Sequence, residues 1–138
     1  MAVAPISEVR KVINYAVSVI PRKKIMMGIP LYGYDWTLPY LPGAQFAESV
    51  GCLEAVVRAA NVNAIIKFDV KSQSPFYNYY KNGAQHVVWF EDARSITAKF
   101  KLVNEYGLRG VSYWSLGKPF PQNWYILDDM FKITKLVK

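Results

Sequence analysis

The run Lys24-Ile25-Met26-Met27-Gly28-Ile29-Pro30-Leu31-Tyr32-Gly33-Tyr34-Asp35-Trp36 joins two patterns end to end. Its first half, Ile25 to Ile29, is apolar without a break, as strands buried on both faces of a parallel sheet are. Pro30 ends that strand, since proline has no N–H to give to a ladder. The second half alternates. Tyr32, Tyr34 and Trp36 stand two residues apart, so an extended backbone places all three rings on one side. A buried strand that opens into a one-sided aromatic row suits the mouth of a binding cleft.

Working outward, the segment before this run reads as a helix. Pro5 precedes Ser7 as an N-cap, and Val9, Val12, Ile13, Ala16, Val17 and Ile20 follow at helical spacing until Pro21 stops them. Arg22-Lys23-Lys24 is then a solvated loop between helix and strand. After the run, Thr37 to Gln45 is a loop punctuated by Pro39, Pro42 and Gly43. A second helix is predicted from about Ser49 to Ala60, with Leu53, Val56, Val57 and Ala60 on one face and Asn61 as its stop. Three strands follow, Ala64 to Asp69, Pro75 to Tyr80 and Gln85 to Phe90, the last two joined by an Asn82-Gly83 hairpin turn.

A third helix begins near Asp92 or Ser95. It carries Ile96, Phe100, Val103 and Tyr106 inward and ends at Gly107 as the C′ residue. Gly110 to Leu116 is a second buried strand, Gly117 to Pro121 a loop, and Asn123 caps a last helix that runs to about Ile133. With the middle segment set aside, the order is α–β–α–β–α, the rhythm of a parallel α/β fold. Two parallel strands are too few to close a sheet or a barrel.

The chain's 138 residues, 52% of them hydrophobic, suffice for one domain with a real core. No apolar run approaches the ~20 residues that span a bilayer, and the N-terminus shows no signal-peptide pattern. The single cysteine, Cys52, excludes an internal disulfide and reads as a buried small hydrophobe. With one histidine, His86, it cannot make a typical structural zinc site. His86 itself reads as a hairpin residue without a role. The formal charge of +7 favours anionic surroundings. Aromatic residues make up 15% of the chain, and such rings stack on sugars or bases as readily as they fill cores.

Three segments together resemble the family 18 glycoside hydrolases, which include chitinases and cell-wall N-acetylglucosaminidases. Lys24 to Trp36 is similar to that family's seventh barrel strand, a basic-apolar run into Gly-x-Pro-x-Tyr-Gly. Thr37 to Val88 occupies the place of its small α+β insertion. Gly110-Val111-Ser112-Tyr113-Trp114-Ser115-Leu116 is similar to the eighth strand with its tryptophan. Gln73 to Phe76, Val88 to Ser95 and Pro119 to Trp124 look closest to the spore-germination and sporulation glycosylases of spore-forming bacteria.

The resemblance implies the last two strands and helices of a (β/α)8 barrel over residues 1–138, with the α+β insertion at 37–88. It also implies hydrolysis of β-1,4 linkages next to N-acetylated sugars, in peptidoglycan, spore cortex or chitin, by the substrate-assisted route. The family's acidic signature Asp-x-x-Asp-x-Asp-x-Glu occurs nowhere in the chain, and neither does its Met-x-Tyr motif. No catalytic residue is therefore assigned, and the chain by itself is expected to be inactive. No cofactor or metal is implied.

Trp114 is the foremost sugar-binding candidate, as the floor of the subsite holding the sugar that is cleaved. Its alternative is a core tryptophan. Tyr32, Tyr34 and Trp36 are expected to line the same cleft, although packing beneath the insertion is open for Tyr32. Where many chitinases carry arginine after Tyr-Gly, this chain has Tyr34. Asp69 and Glu91, at strand ends, could bind sugar hydroxyls, whereas Asp92 reads as a helix N-cap and Asp128-Asp129 as a solvated face. The expected partner is a polysaccharide, with neither nucleic acid nor membrane. The parent protein is expected to be extracellular, in the cell wall or on the spore. Bared strand faces predict self-association, strand exchange or rearrangement. Two rival readings remain, a non-catalytic carbohydrate-binding module using the same aromatics and a basic nucleic-acid-binding domain.

Overall fold

The computed structural model describes residues 1–41, 43 and 46–134. Its elements are α1 (Ile6–Val19), β1 (Met26–Pro30), β2 (Tyr32–Leu38), β3 (Glu48–Gly51), α2 (Cys52–Asn61), β4 (Lys67–Asp69), β5 (Ser74–Lys81), β6 (Ala84–Trp89), α3 (Ala93–Tyr106), β7 (Gly110–Trp114) and α4 (Pro121–Met130). They form a mixed α/β fold with two sheets, one parallel and one antiparallel.

The parallel sheet has two strands, with Met27 opposite Val111 and Ile29 opposite Tyr113. These four side chains face the helices. Their core gathers Ile13, Met27, Ile29, Leu31, Ile96, Phe100 and Leu102, with Val111, Tyr113 and Leu127 packed against it. The opposite face is bare: Met26 and Trp114 are exposed, as are Gly28 and Ser112. Beside β1, away from β7, a groove of about 330 Å³ opens between the strand and α1. It continues the exposed outer row of Val12, Tyr15 and Val19.

The antiparallel sheet runs β3-β2-β6-β5-β4. The Asn82-Gly83 turn behaves as predicted, both residues adopting positive φ (53° and 77°) between β5 and β6. One face packs on α2 around Val50, Ala55, Ala59, Tyr77, Tyr79, Val88 and Phe90. Gly33 lets β2 pass close to β6. A Cβ there would lie 2.2 Å from the Trp89 carbonyl oxygen and 2.7 Å from the Phe90 Cβ.

The third helix forms as its sequence predicts. Asp92 caps it by accepting from the Ser95 N–H at 3.0 Å, and Gly107 closes it with φ 61°. Elsewhere tertiary contacts override local pattern. The predicted helix from Ser49 instead begins at Cys52, because Glu48–Gly51 pairs with β2 as an edge strand. The face of α2 that carries Leu53, Val56, Val57 and Ala60 is exposed, and Cys52, Ala55 and Ala59 are the buried side. Small residues sit inward because the helix lies close on the sheet. The predicted loop from Thr37 begins two residues late, β2 running on to Leu38; its Pro42 and Gln45 lie outside the described residues.

β4 begins at Lys67 rather than Ala64, α4 ends at Met130 rather than about Ile133, and two further differences are at helix starts. α1 begins at Ile6 after Pro5, with no side-chain cap from Ser7. α4 begins at Pro121, so Asn123 is not its cap but a buried residue of its first turn. Proline is favoured at that first position because its missing N–H had no partner there.

Candidate functional site

The two sheets meet at one residue. Leu31, fully buried, links β1 to β2, and its N–H donates to the Trp114 carbonyl at 2.9 Å. That bond pins the start of the aromatic row to the end of β7. Trp114 is 73% exposed, so the core-tryptophan alternative does not hold. With Tyr32, Gly28, Pro30, Val3 and Ala4 it lines a depression of about 260 Å³.

From Tyr32 the row continues along β2 as alternation predicts. Tyr32 and Tyr34 meet edge to face at 5.5 Å, and Tyr34 and Trp36 at 5.8 Å. Such pairs favour this geometry because ring edges are positive and faces negative. All three rings are half-buried on the sheet face away from α2, and Trp36 Nε1 donates to the Met1 carbonyl at 3.3 Å. Tyr32, Tyr34 and Trp36 thus form one aromatic row, and Trp114 shares the depression at its Tyr32 end.

Asp69 and Glu91 do not join it. Asp69 accepts from the Ser72 backbone N–H at 2.7 Å, stabilising the turn between β4 and β5. Glu91 is 1% exposed and is held by Lys99 Nζ at 2.8 Å, itself 1% exposed. The expectation that Glu91 meets a sugar hydroxyl is therefore corrected: chain reversal from β6 into α3 turns its carboxyl into the interior. Burial pushes that carboxyl above its ordinary value, with Lys99 pulling the other way.

Behind the row lies a polar cluster that sequence reading missed. Asp35 alternates with Tyr34 and Trp36, so its side chain points to the α2 face, where it is 1% exposed. It accepts from Arg58 Nη1 at 2.7 Å, pairs with His86 Nδ1 at 2.9 Å, and accepts from the Tyr79 hydroxyl. Arg58 also holds Glu48 and Glu54, each at 2.8 Å. Burial, then the bond to Asp35, pushes the Tyr79 hydroxyl up to about 12. One signal was available: an aspartate centred in an apolar alternating strand must find partners on its own face.

The cluster ties β2 to α2, β5 and β6, which holds the aromatic row still. Its carboxylate is fully engaged on the wrong face to serve a ligand on the row. Cys52 is buried, and burial pushes its thiol up to about 12, far from a reactive thiolate. Among the described residues no group of three or more His, Cys, Asp or Glu side chains could hold a metal ion. The row offers apolar ring surface and tyrosine hydroxyls.

The family model for the glycosyl hydrolases family 18 matches residues 3–118. The chain belongs to that family. It is 53% identical over 135 residues to the cortical fragment-lytic enzyme of Bacillus subtilis (strain 168), covering 97% of this chain and 31% of that protein. Among solved structures it is similar to the Bacillus megaterium QM B1551 spore cortex-lytic enzyme SleL, with TM-score 0.95 and 54% identity over 99% of this chain and 32% of that one. It is also similar to a chitinase from Chromobacterium violaceum ATCC 12472, with TM-score 0.84 and 34% identity over 94% of this chain and 40% of that one. The chain spans about a third of the length of the curated relatives it matches.

Proposed function

We propose that this chain supplies sugar subsites to a cell-wall glycoside hydrolase that cuts β-1,4 linkages next to N-acetylated sugars in peptidoglycan, spore cortex or chitin. The observation that carries the reading is the exposed indole of Trp114, at the C-terminal end of a parallel strand and beside Tyr32, the first ring of the row that continues through Tyr34 and Trp36. Ligands of barrel enzymes sit at that end of the strands. An indole presents a flat apolar surface to the C–H face of a pyranose, and the tyrosines add hydroxyls at its rim.

Hydrolysis itself belongs to a larger assembly. In the substrate-assisted route the substrate's own acetamido group is the nucleophile, and a carboxylic acid protonates the leaving oxygen. The acidic signature that supplies this acid is not among the 138 residues. General acid catalysis contributes typically ~10²–10⁴-fold, so the chain alone binds and does not cut.

In this reading β1 and β7 are the closing strands of a (β/α)8 barrel, and the antiparallel sheet with α2 is the α+β insertion, which starts at Tyr32 rather than at the expected Thr37 because β2 pairs along its length with β3 and β6. The bare face of Met26, Gly28, Ser112 and Trp114 is then the barrel's interior. The groove between β1 and α1 is then where a preceding strand lies. An uncovered apolar edge invites pairing with another chain, so the isolated chain self-associates. Light scattering behind size exclusion checks this; a stable monomer across concentrations contradicts it.

Retention on insoluble peptidoglycan and chitin, compared with DNA at rising salt, tests the functional reading. Sugar retention that persists in salt and falls in Trp114→Ala supports it. Salt-sensitive retention on DNA alone favours the nucleic-acid rival instead. A non-catalytic binding module shares the aromatics; activity restored by adding the remaining strands separates an enzyme's subsites from such a module.

A further inference from the structure

The parallel sheet has a second end, and it is basic. Arg22–Lys24 form a single 3-10 turn just ahead of β1, closed by the Lys24 N–H on the Pro21 carbonyl at 2.8 Å. Arg109 leads into β7 beside that turn, its backbone N–H donating to the Ile25 carbonyl at 3.0 Å. Two segments far apart in the chain thus bring Arg22, Lys23, Lys24 and Arg109 to one edge. All four side chains are exposed, and among the described residues none of them is in an ion pair. Glu105, the acid nearest to Arg109 in sequence, is bound to Arg10. Asp128 and Asp129 sit on α4, whose end packs through Phe131 on Phe100 with ring centroids 5.3 Å apart. Phe100 is about 9 Å along α3 from Tyr106, so those acids are set back from the basic edge. Trp114, at the other end of β7, is roughly 13 Å away by the ordinary rise of a strand.

We propose that this basic edge is an interaction surface for the carboxylates of peptidoglycan stem peptides, holding the wall polymer at the end of the sheet remote from Trp114. The proposal rests on the reading of the chain as part of a cell-wall glycosidase, and it narrows the polymer to one that carries anions. Clustered cations without counter-charge raise the local positive potential and draw polyanions to it. Chitin is uncharged and gains nothing from such an edge, whereas stem peptides end in carboxylates. A wall is also a network. One particle of it reaches both ends of the sheet, and the second contact is then intramolecular. Nucleic acid would engage the edge alone, because the cleft at the other end is read as a sugar site.

Retention of the 138-residue chain on insoluble peptidoglycan, chitin and DNA, at low salt and at about 1 M, tests this. At low salt the unaltered chain is held more tightly by peptidoglycan than by chitin. The excess vanishes at about 1 M, where the screening length falls to about 3 Å. Lys23→Gln, Lys24→Gln and Arg109→Gln together weaken peptidoglycan binding roughly tenfold, the combined share of three exposed ion pairs, and leave chitin binding unchanged. Glutamine at the exposed Lys67, Lys71 and Lys81 removes the same charge elsewhere and changes little. Equal losses in the two triple variants mean that net charge acts and not this edge, which overturns the proposal. Three other results overturn it too: an excess that survives on peptidoglycan stripped of its peptides, an excess that disappears when only attached phosphate polymers are removed, or an edge variant that loses DNA and keeps peptidoglycan. The stripped polymers are read with the unaltered chain, so they decide even where a variant fails to fold. Trp114→Ala addresses the underlying reading separately. It lowers the salt-resistant retention on both polymers and leaves the salt-sensitive excess; salt-resistant retention untouched in Trp114→Ala sinks the sugar reading and not the edge.

Discussion

Leu31 and Trp114 are joined by a single backbone hydrogen bond, N–H to carbonyl at 2.9 Å, at the one point where the parallel sheet passes into the antiparallel one. The placing of the aromatic row beside Trp114 depends on that junction. Because Leu31 is fully buried in the helix-packed core, its backbone cannot shift without disturbing Ile29 and Phe100. The first ring of the row is thus held in fixed relation to the tryptophan at the end of β7.

Trp114 itself contributes little to stability. An exposed side chain outside the core leaves unfolding free energy within about 0.5 kcal/mol when truncated. Trp114→Ala is therefore expected to unfold with the parent chain in urea while losing about tenfold in oligosaccharide affinity, equivalent to ~1.4 kcal/mol. Large destabilisation with intact binding contradicts this assignment.

Gly33→Ala is expected to act through stability, because its Cβ would point to the sheet face opposite the aromatic row. Its Cβ would press 2.2 Å from the Trp89 carbonyl oxygen, and backbone there cannot yield as a flexible side-chain tip can. Overpacking of this kind costs about 3 kcal/mol, which lowers Tm by roughly 10 °C in a chain of this size. An unchanged Tm in differential scanning calorimetry refutes the close approach of β2 to β6.

The buried pair of Glu91 and Lys99 makes a prediction about removing one charge or both. Glu91→Leu alone, or Lys99→Met alone, leaves the other ion desolvated and unpaired, at a cost of about 3–5 kcal/mol. The double variant removes both charges and recovers most of that loss, since apolar replacements of a buried pair are often neutral. Denaturant unfolding of the four proteins closes the cycle; additive losses mean the two groups do not interact.

At high pH the proton on Tyr79 matters. Its folded pKa of about 12 exceeds the ordinary tyrosine value near 10. A raised folded value means that the contribution is fully present below about pH 10 and is lost as pH rises through about 12. Stability measured by urea unfolding is expected to fall across that window, and Tyr79→Phe to fall less steeply. Ultraviolet titration should show late-ionising tyrosinates, buried Tyr77 among them, with one fewer in the variant. An unaltered alkaline limb in Tyr79→Phe places the lost stability elsewhere.

Much of the fold was legible because local signals are strong where the backbone has few choices. Asn82-Gly83 turned, Asp92 and Gly107 bounded their helix, and Ile25 to Ile29 marked β1 to within a residue. Two of the failures share one cause. β3 has only four residues and exists because β2 lies beside it, and α2 turned its alanines inward because the sheet allows close approach there. Neither neighbour is visible in a local window.

The cleft divides the same way. Period-two alternation in an extended strand is a local property, so the common side of Tyr32, Tyr34 and Trp36 was determined by the sequence itself, and with it the opposite side for Asp35. Which side is wet is not a local property. It depends on where α2 packs, and only the tertiary structure decided that the aromatic face is open while Asp35 is buried against Arg58, His86 and Tyr79. The same holds for Glu91, whose place at a strand end read as exposed until α3 brought Lys99 over it. Burial is a sum over partners distant in the chain, and residues at these spacings acquire their roles from those partners.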